Sequence, residues 1–117
     1  MKKIFSLIII CLLITACGDK LYETIDTNKA LELIDNGSVI VDVREKEEYD
    51  SGHITNAINI PLSDIDSIDI DKNKTVIVYC ATGVRSKSAA EKLAEMGYTS
   101  LYNLDGGLLN WGGSLEE

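Results

Sequence analysis

Two runs of β-branched residues dominate the hydrophobic pattern, Val39-Ile40-Val41-Asp42-Val43 and Thr75-Val76-Ile77-Val78-Tyr79. Neither alternates in the way of a half-exposed strand; near-continuous apolar runs suit parallel strands covered on both faces. Both are predicted to be central strands. Shorter strands are predicted at Tyr22-Glu23-Thr24-Ile25, at Ala57-Ile58-Asn59-Ile60 before Pro61, and at Leu101-Tyr102-Asn103-Leu104. Helical spacing fills the intervals. Asp26 or Thr27 can cap a helix from about Asn28 to Asn36, with Ala30, Leu31 and Ile34 on one face and Gly37 as its exit. Ser86 to Met96 places Ala89, Ala90, Leu93 and Ala94 on one face and stops at Gly97. Glu45 to Asp50 is polar and allows one or two helical turns before Ser51-Gly52, whereas the aspartate-rich stretch Ser63 to Lys74 predicts a solvated loop with one turn. Strands alternating with helices predict an α/β domain, a largely parallel sheet with helices on both faces.

At 117 residues the chain suffices for one such domain. Residues 1–16 are set apart from it. Lys2 and Lys3 precede a largely apolar run of eleven residues, Ile4 to Ile14, and then Thr15 and Ala16, the pattern of a cleaved secretory signal. A helix of that length rises only about 16 Å, short of the hydrocarbon core of a bilayer. Ile14-Thr15-Ala16-Cys17 resembles the lipobox of bacterial lipoproteins. That resemblance implies lipidation of Cys17, and two acyl chains give stable anchoring. Residues 17–21 would then be a short tether, and the protein extracytoplasmic and lipid-anchored to a bacterial membrane.

Processing changes the cysteine count. Cys11 leaves with the signal and Cys17 carries lipid, so Cys80 is the one thiol expected on the mature chain. An unpaired thiol in an oxidising compartment asks for a reason, either burial or chemistry. Removing Lys2 and Lys3 takes the formal charge from −8 to −10, which argues against nucleic acid as a partner.

The surroundings of Cys80 favour chemistry. A cysteine where a parallel strand meets a helix puts its sulfur at the carboxyl edge of the sheet, where open α/β folds bind ligands, and so predicts an exposed thiol. In Cys80-Ala81-Thr82-Gly83-Val84-Arg85 the amides that open the helix can converge on one point, and the helix terminus favours a thiolate there. Gly83 allows close approach of backbone, and Thr82 offers a hydroxyl. Arg85 can hold two oxygens of a sulfur oxyanion or pair with a carboxylate that stiffens the loop.

These residues resemble the rhodanese family of sulfurtransferases. Val41-Asp42-Val43-Arg44, then Glu48-Tyr49, Gly52-His53-Ile54, Ala57 and Asn59-Ile60-Pro61, are similar to its first signature. Cys80, Gly83, Arg85 and Ser86 match its catalytic loop, and Leu104-Asp105-Gly106-Gly107 with Trp111 its closing segment. The resemblance covers roughly Tyr22 to Trp111 and places a rhodanese-like domain over 22–117. It implies a mostly parallel five-stranded sheet and a Cys80 persulfide that carries sulfane sulfur from thiosulfate or a persulfide to a thiol or cyanide-like acceptor, with no metal or cofactor. Ala81 to Arg85 would form the anion-binding loop, with Asp42 and Arg44 as a supporting frame. Ala81 stands where many members carry a long polar or basic side chain, which leaves donor preference open.

Other readings set the contrast. His53 could serve as a base, but its place after a glycine in a turn favours packing. Lys87 reads as a solvated helix lysine, and Trp111 as core beside Leu108 and Leu109. The residues after Trp111 are expected to leave the last edge less covered. A phosphatase or arsenate reductase would space cysteine and arginine with five residues between, whereas Cys80 and Arg85 have four. A membrane-tethered sulfur carrier, docking a membrane-proximal protein and turning over little alone, is the alternative of a different class.

Overall fold

The computed structural model describes residues 21–117. The signal segment and Cys17 lie outside the described residues. Five strands form one wholly parallel sheet: β1 (Glu23–Ile25), β2 (Val39–Asp42), β4 (Ile58–Asn59), β5 (Val76–Tyr79) and β6 (Leu101–Leu104), in the order β1-β6-β5-β2-β4. The two β-branched runs pair in register, Val39 with Val76 through Asp42 with Tyr79, at the middle of the sheet. The fold class read from the sequence is the one observed.

Each face of the sheet has its own core. Val41, Val43, Val76, Val78 and Cys80 turn toward α3 (Val84–Glu95), which contributes Ala89, Ala90 and Leu93, and toward Ile65 in the 3-10 turn Leu62–Ser67. Ile40, Ile77, Tyr79 and Leu104 turn the other way, onto Ala30, Leu33 and Ile34 of α1 (Thr27–Asp35) and onto Ile54, Ala57 and Trp111. Side chains two apart on a strand share a face, so Cys80 and its neighbour Tyr79 belong to opposite cores. Asp26 caps α1 by accepting the Lys29 amide at 2.9 Å.

Three details depart from the sequence reading. Leu31 is 42% exposed, and Leu33 takes its place: with Ala30 and Ile34 facing the sheet, a helical period brings position 33 inward and turns 31 aside. Leu109 is 80% exposed, because the 3-10 turn Gly107–Asn110 directs Leu108 and Trp111 inward instead. The tail also forms a strand that the sequence reading did not include. Leu115–Glu116, β7, pairs antiparallel with β3 (His53–Ile54), an arrangement too short and polar to show in the hydrophobic pattern.

Candidate active site

Because all five strands run the same way, Cys80, just beyond β5, lies at the carboxyl edge beside the starts of α3 and α2 (Lys46–Asp50). The predicted helix start at Ser86 is two residues late, since α3 begins at Val84. Gly83 causes the difference. Its φ of 99° folds the chain back so that Val84 and Arg85 already form the first turn, and a β-carbon there would lie 3.3 Å from the Gly106 amide nitrogen. Ser86 consequently points inward beneath the loop and is fully buried.

The Cys80 sulfur accepts hydrogen bonds from the Gly83 amide at 3.1 Å and the Ser86 amide at 3.4 Å, with the Ser86 hydroxyl 3.5 Å away. Burial alone would push the thiol up. The Ser86 hydroxyl and the amides of Ser86, Thr82 and Gly83 outweigh it, so the thiol titrates below its ordinary value. The expectation of an exposed thiol is corrected: Cys80 is 1% exposed, because the amides that stabilise a thiolate must surround it, and the loop that supplies them also covers it.

A second segment braces the loop from outside. Leu108 and Leu109 donate their amides to the carbonyls of Cys80 and Ala81, at 2.9 and 3.1 Å. Gly107 makes this approach possible, for a β-carbon on it would meet the Cys80 carbonyl oxygen at 2.4 Å. Ala81, Thr82, Leu108 and Leu109 line a shallow depression at this edge, and Val84 beside it is 70% exposed.

Of the two roles open to Arg85, the geometry favours the carboxylate. Its guanidinium donates to both oxygens of Glu48, at 2.8 and 3.0 Å, and these bonds hold the Glu48 carboxyl at about 2. Asp42 and Arg44 form a separate buried unit on the opposite face of the sheet. The Asp42 carboxylate accepts from the Arg44 guanidinium and backbone amide and from the Tyr79 hydroxyl, while Arg44 also donates to the Gly52 carbonyl. Tyr79 accepts the Ile54 amide at 3.0 Å, and burial followed by the Asp42 carboxylate raises its hydroxyl well above the ordinary phenol range. This unit reaches the loop through the Tyr79-Cys80 backbone rather than through the sulfur.

His53 is buried, stacked on Tyr49 with ring centroids 3.6 Å apart, and its ring nitrogens meet the Tyr49 carbonyl and Glu116. It makes no hydrogen bond with Cys80. Trp111 is 4% exposed, in the core. Among the described residues no group of His, Cys, Asp and Glu is gathered to hold a metal ion. Asn103 escaped the sequence reading. It is wholly buried on β6 and accepts the Ser86 hydroxyl, and the signal was a lone amide inside an otherwise apolar strand.

A family model described as "Rhodanese-like domain" matches residues 26–114. The uncharacterized protein YqhL of Bacillus subtilis is 44% identical over 79 residues, 66% of this chain, and the match spans 63% of that protein's length. The thiosulfate sulfurtransferase GlpE of Coxiella burnetii is 35% identical over 94 residues, covering 78% of this chain and 88% of the relative. Among solved structures, a rhodanese-related protein from Thermoplasma volcanium superposes with a TM-score of 0.73 at 32% identity, covering 81% of this chain and 98% of that one. With that match over residues 26–114 and the fold and cysteine loop in agreement with it, the chain belongs to the rhodanese-like domain family, whose named relatives include sulfurtransferases.

Proposed function

We propose that the protein is a sulfurtransferase working through a Cys80 persulfide. The observation that carries this reading is the sulfur's environment, backbone amides and a hydroxyl with the thiol held below its ordinary value. The Cys80 thiolate attacks the sulfane sulfur of thiosulfate or of an organic persulfide. The sulfur–sulfur bond of the donor breaks, and sulfite or a thiolate departs with its electron pair. The persulfide keeps one negative charge at its terminal sulfur, which the loop amides stabilise as they stabilised the thiolate. A thiol or cyanide-like acceptor then attacks that terminal sulfur, and Cys80 returns as thiolate. Steady-state turnover with thiosulfate and cyanide tests the scheme: parallel lines in double-reciprocal plots support double displacement, and intersecting lines reject it.

A second reading, a sulfur carrier with little turnover of its own, is favoured by the 1% exposure of Cys80 and the engagement of Arg85 by Glu48. A partner that opened the loop would then be needed. Activity of the purified chain at ordinary enzymatic rates excludes this reading; activity only with an added partner supports it.

Anchoring through Cys17 completes the proposal. All strands are parallel and β1 opens at Glu23, so the chain enters the sheet at the edge opposite Cys80. An anchored domain would turn its loop away from the bilayer and toward donors and acceptors in the aqueous phase.

A further inference from the structure

The Cys80 sulfur ends a short buried chain of hydrogen bonds. The Cys80 thiol donates to the Ser86 hydroxyl oxygen at 3.5 Å, and the Ser86 hydroxyl donates to the Asn103 carbonyl oxygen Oδ1. Asn103 and Ser86 are fully buried, and the other half of the Asn103 amide, Nδ2, has no partner among the described residues. A buried donor left unmade is costly and rare in a folded protein, and here it lies on the residue that terminates the chain behind the nucleophile.

A hydroxyl has one proton to give. While Cys80 is a thiol, the direction Cys80 to Ser86 to Asn103 uses it well. Once the thiol proton has left for solvent, the charged sulfur faces a lone pair of the Ser86 oxygen. Turning the Ser86 proton toward the sulfur would relieve this but would strand Oδ1. The amide has a remedy that other side chains of its shape lack, for turning it over puts Nδ2 where Oδ1 was. Nδ2 then donates to Ser86, and Ser86 donates to the sulfur. The number of bonds is unchanged, the one to sulfur becomes charge-assisted, and one of the two orphan N–H donors of Nδ2 is exchanged for an unpaired carbonyl oxygen, which costs less.

We infer that Asn103 is a positioning residue that acts through Ser86, its amide turning over to reverse the hydrogen-bond chain whenever the Cys80 sulfur gains or loses charge. The inference rests on the proposed cycling of Cys80 between thiolate and persulfide, in which that charge changes twice per turnover. The strand neighbours of Asn103 are Val78 on β5 and Thr24 on β1, both uncharged. The charged group coupled to the sulfur is Arg85 on α3, itself bound to Glu48 on α2, while Lys87 on α3 and Asp105 beyond β6 are exposed.

The test is a pH titration of the full chain labelled with ¹⁵N, following the Asn103 side-chain amide by nuclear magnetic resonance and the thiolate by its ultraviolet absorbance. The amide signals are identified by their absence in Asn103→Leu. The expected result is a downfield movement of one Nδ2 proton with the midpoint of thiolate formation, lost in Cys80→Ser. An amide that stays still while thiolate forms would overturn the inference and leave the sulfurtransferase reading intact. Absorbance that never rises would remove the thiolate itself, and both readings with it. Asn103→Asp supplies a second measurement, because a carboxylate only accepts and would hold the Ser86 proton away from sulfur. It should slow persulfide formation at neutral pH by about tenfold, with the rate regained as pH rises through a thiolate midpoint about one unit higher. An unchanged rate and midpoint would contradict the proposed role.

Discussion

Arg85 and Glu48, 37 residues apart in sequence, meet through two parallel hydrogen bonds of 2.8 and 3.0 Å that tie the first turn of α3 to α2. The pair adds a second tie to the loop beside the Gly107 brace, and it also occupies the arginine that a bound oxyanion would otherwise recruit. Its stability contribution carries a definite sign with pH. The Glu48 carboxyl is depressed from 4.5 to about 2 in the folded chain, so the stabilisation is complete above the unfolded value and is lost as pH falls toward 2. Both side chains are about a third exposed, 37% and 36%, so screening limits the effect to about 1 kcal/mol or less. Denaturant unfolding of Glu48→Gln should therefore match the parent near pH 2 and fall below it near pH 5; a constant difference across that range would contradict the assignment.

Engagement of Arg85 has a consequence for donor choice. With Arg44 bound to Asp42 as well, neither guanidinium is uncommitted, and the residue after the nucleophile is alanine. Ala81→Arg should raise kcat/KM for thiosulfate severalfold, chiefly by lowering KM, and change turnover of an uncharged persulfide much less. Equal effects on the two donors would show that charge at this position is not what limits thiosulfate.

Gly107 packs directly on the backbone of the cysteine loop. A methyl group there meets the Cys80 carbonyl oxygen at 2.4 Å and the Ala81 carbonyl carbon at 2.8 Å, so Gly107→Ala must displace either the loop or its brace. The expected result is a loss of about 2 kcal/mol or more in stability with at least a tenfold loss of sulfur transfer. Gly112 has a similar positive φ of 67° but a β-carbon there would meet nothing within 4 Å among the described residues, and Gly112→Ala should keep full activity.

Tyr79 separates fold from chemistry. Its hydroxyl links the Asp42 carboxylate and the Ile54 amide on the face away from the sulfur. Tyr79→Phe leaves a buried carboxylate short of a donor and a buried amide unpaired, which costs about 1–3 kcal/mol. Thermal unfolding should show the loss while the pH dependence of Cys80 alkylation is unchanged. A shifted alkylation profile would place Tyr79 in the sulfur's environment.

Much of this architecture is legible in the sequence because the central strands announce themselves. Val39 to Val43 and Thr75 to Tyr79 are apolar on both faces, and only a covered parallel sheet satisfies them. The loop was legible too, since a cysteine, a glycine and an arginine follow directly on one of those strands. What the sequence could not show depends on pairing across distance. The partner of Arg85 is one of several glutamates in a polar stretch, and although the resemblance singles out Glu48, nothing local shows that it faces Arg85. The burial of Cys80 follows from amides folding over it, which residue type does not encode. Leu115–Glu116 pairs with His53–Ile54 through a backbone ladder and a His53–Glu116 contact, without a hydrophobic repeat. Asn103 was visible as an amide in an apolar strand, yet its relation to Ser86 requires both β6 and the inward turn that Gly83 imposes on α3.

The central claim is that Cys80 itself carries the transferred sulfur, and intact-mass analysis of the purified chain after incubation with thiosulfate tests it most directly. The account predicts a gain of one sulfur atom, absent in Cys80→Ser and reversed by cyanide. A chain that takes up no sulfur from thiosulfate or from any organic persulfide, or that takes it up equally without Cys80, would contradict it.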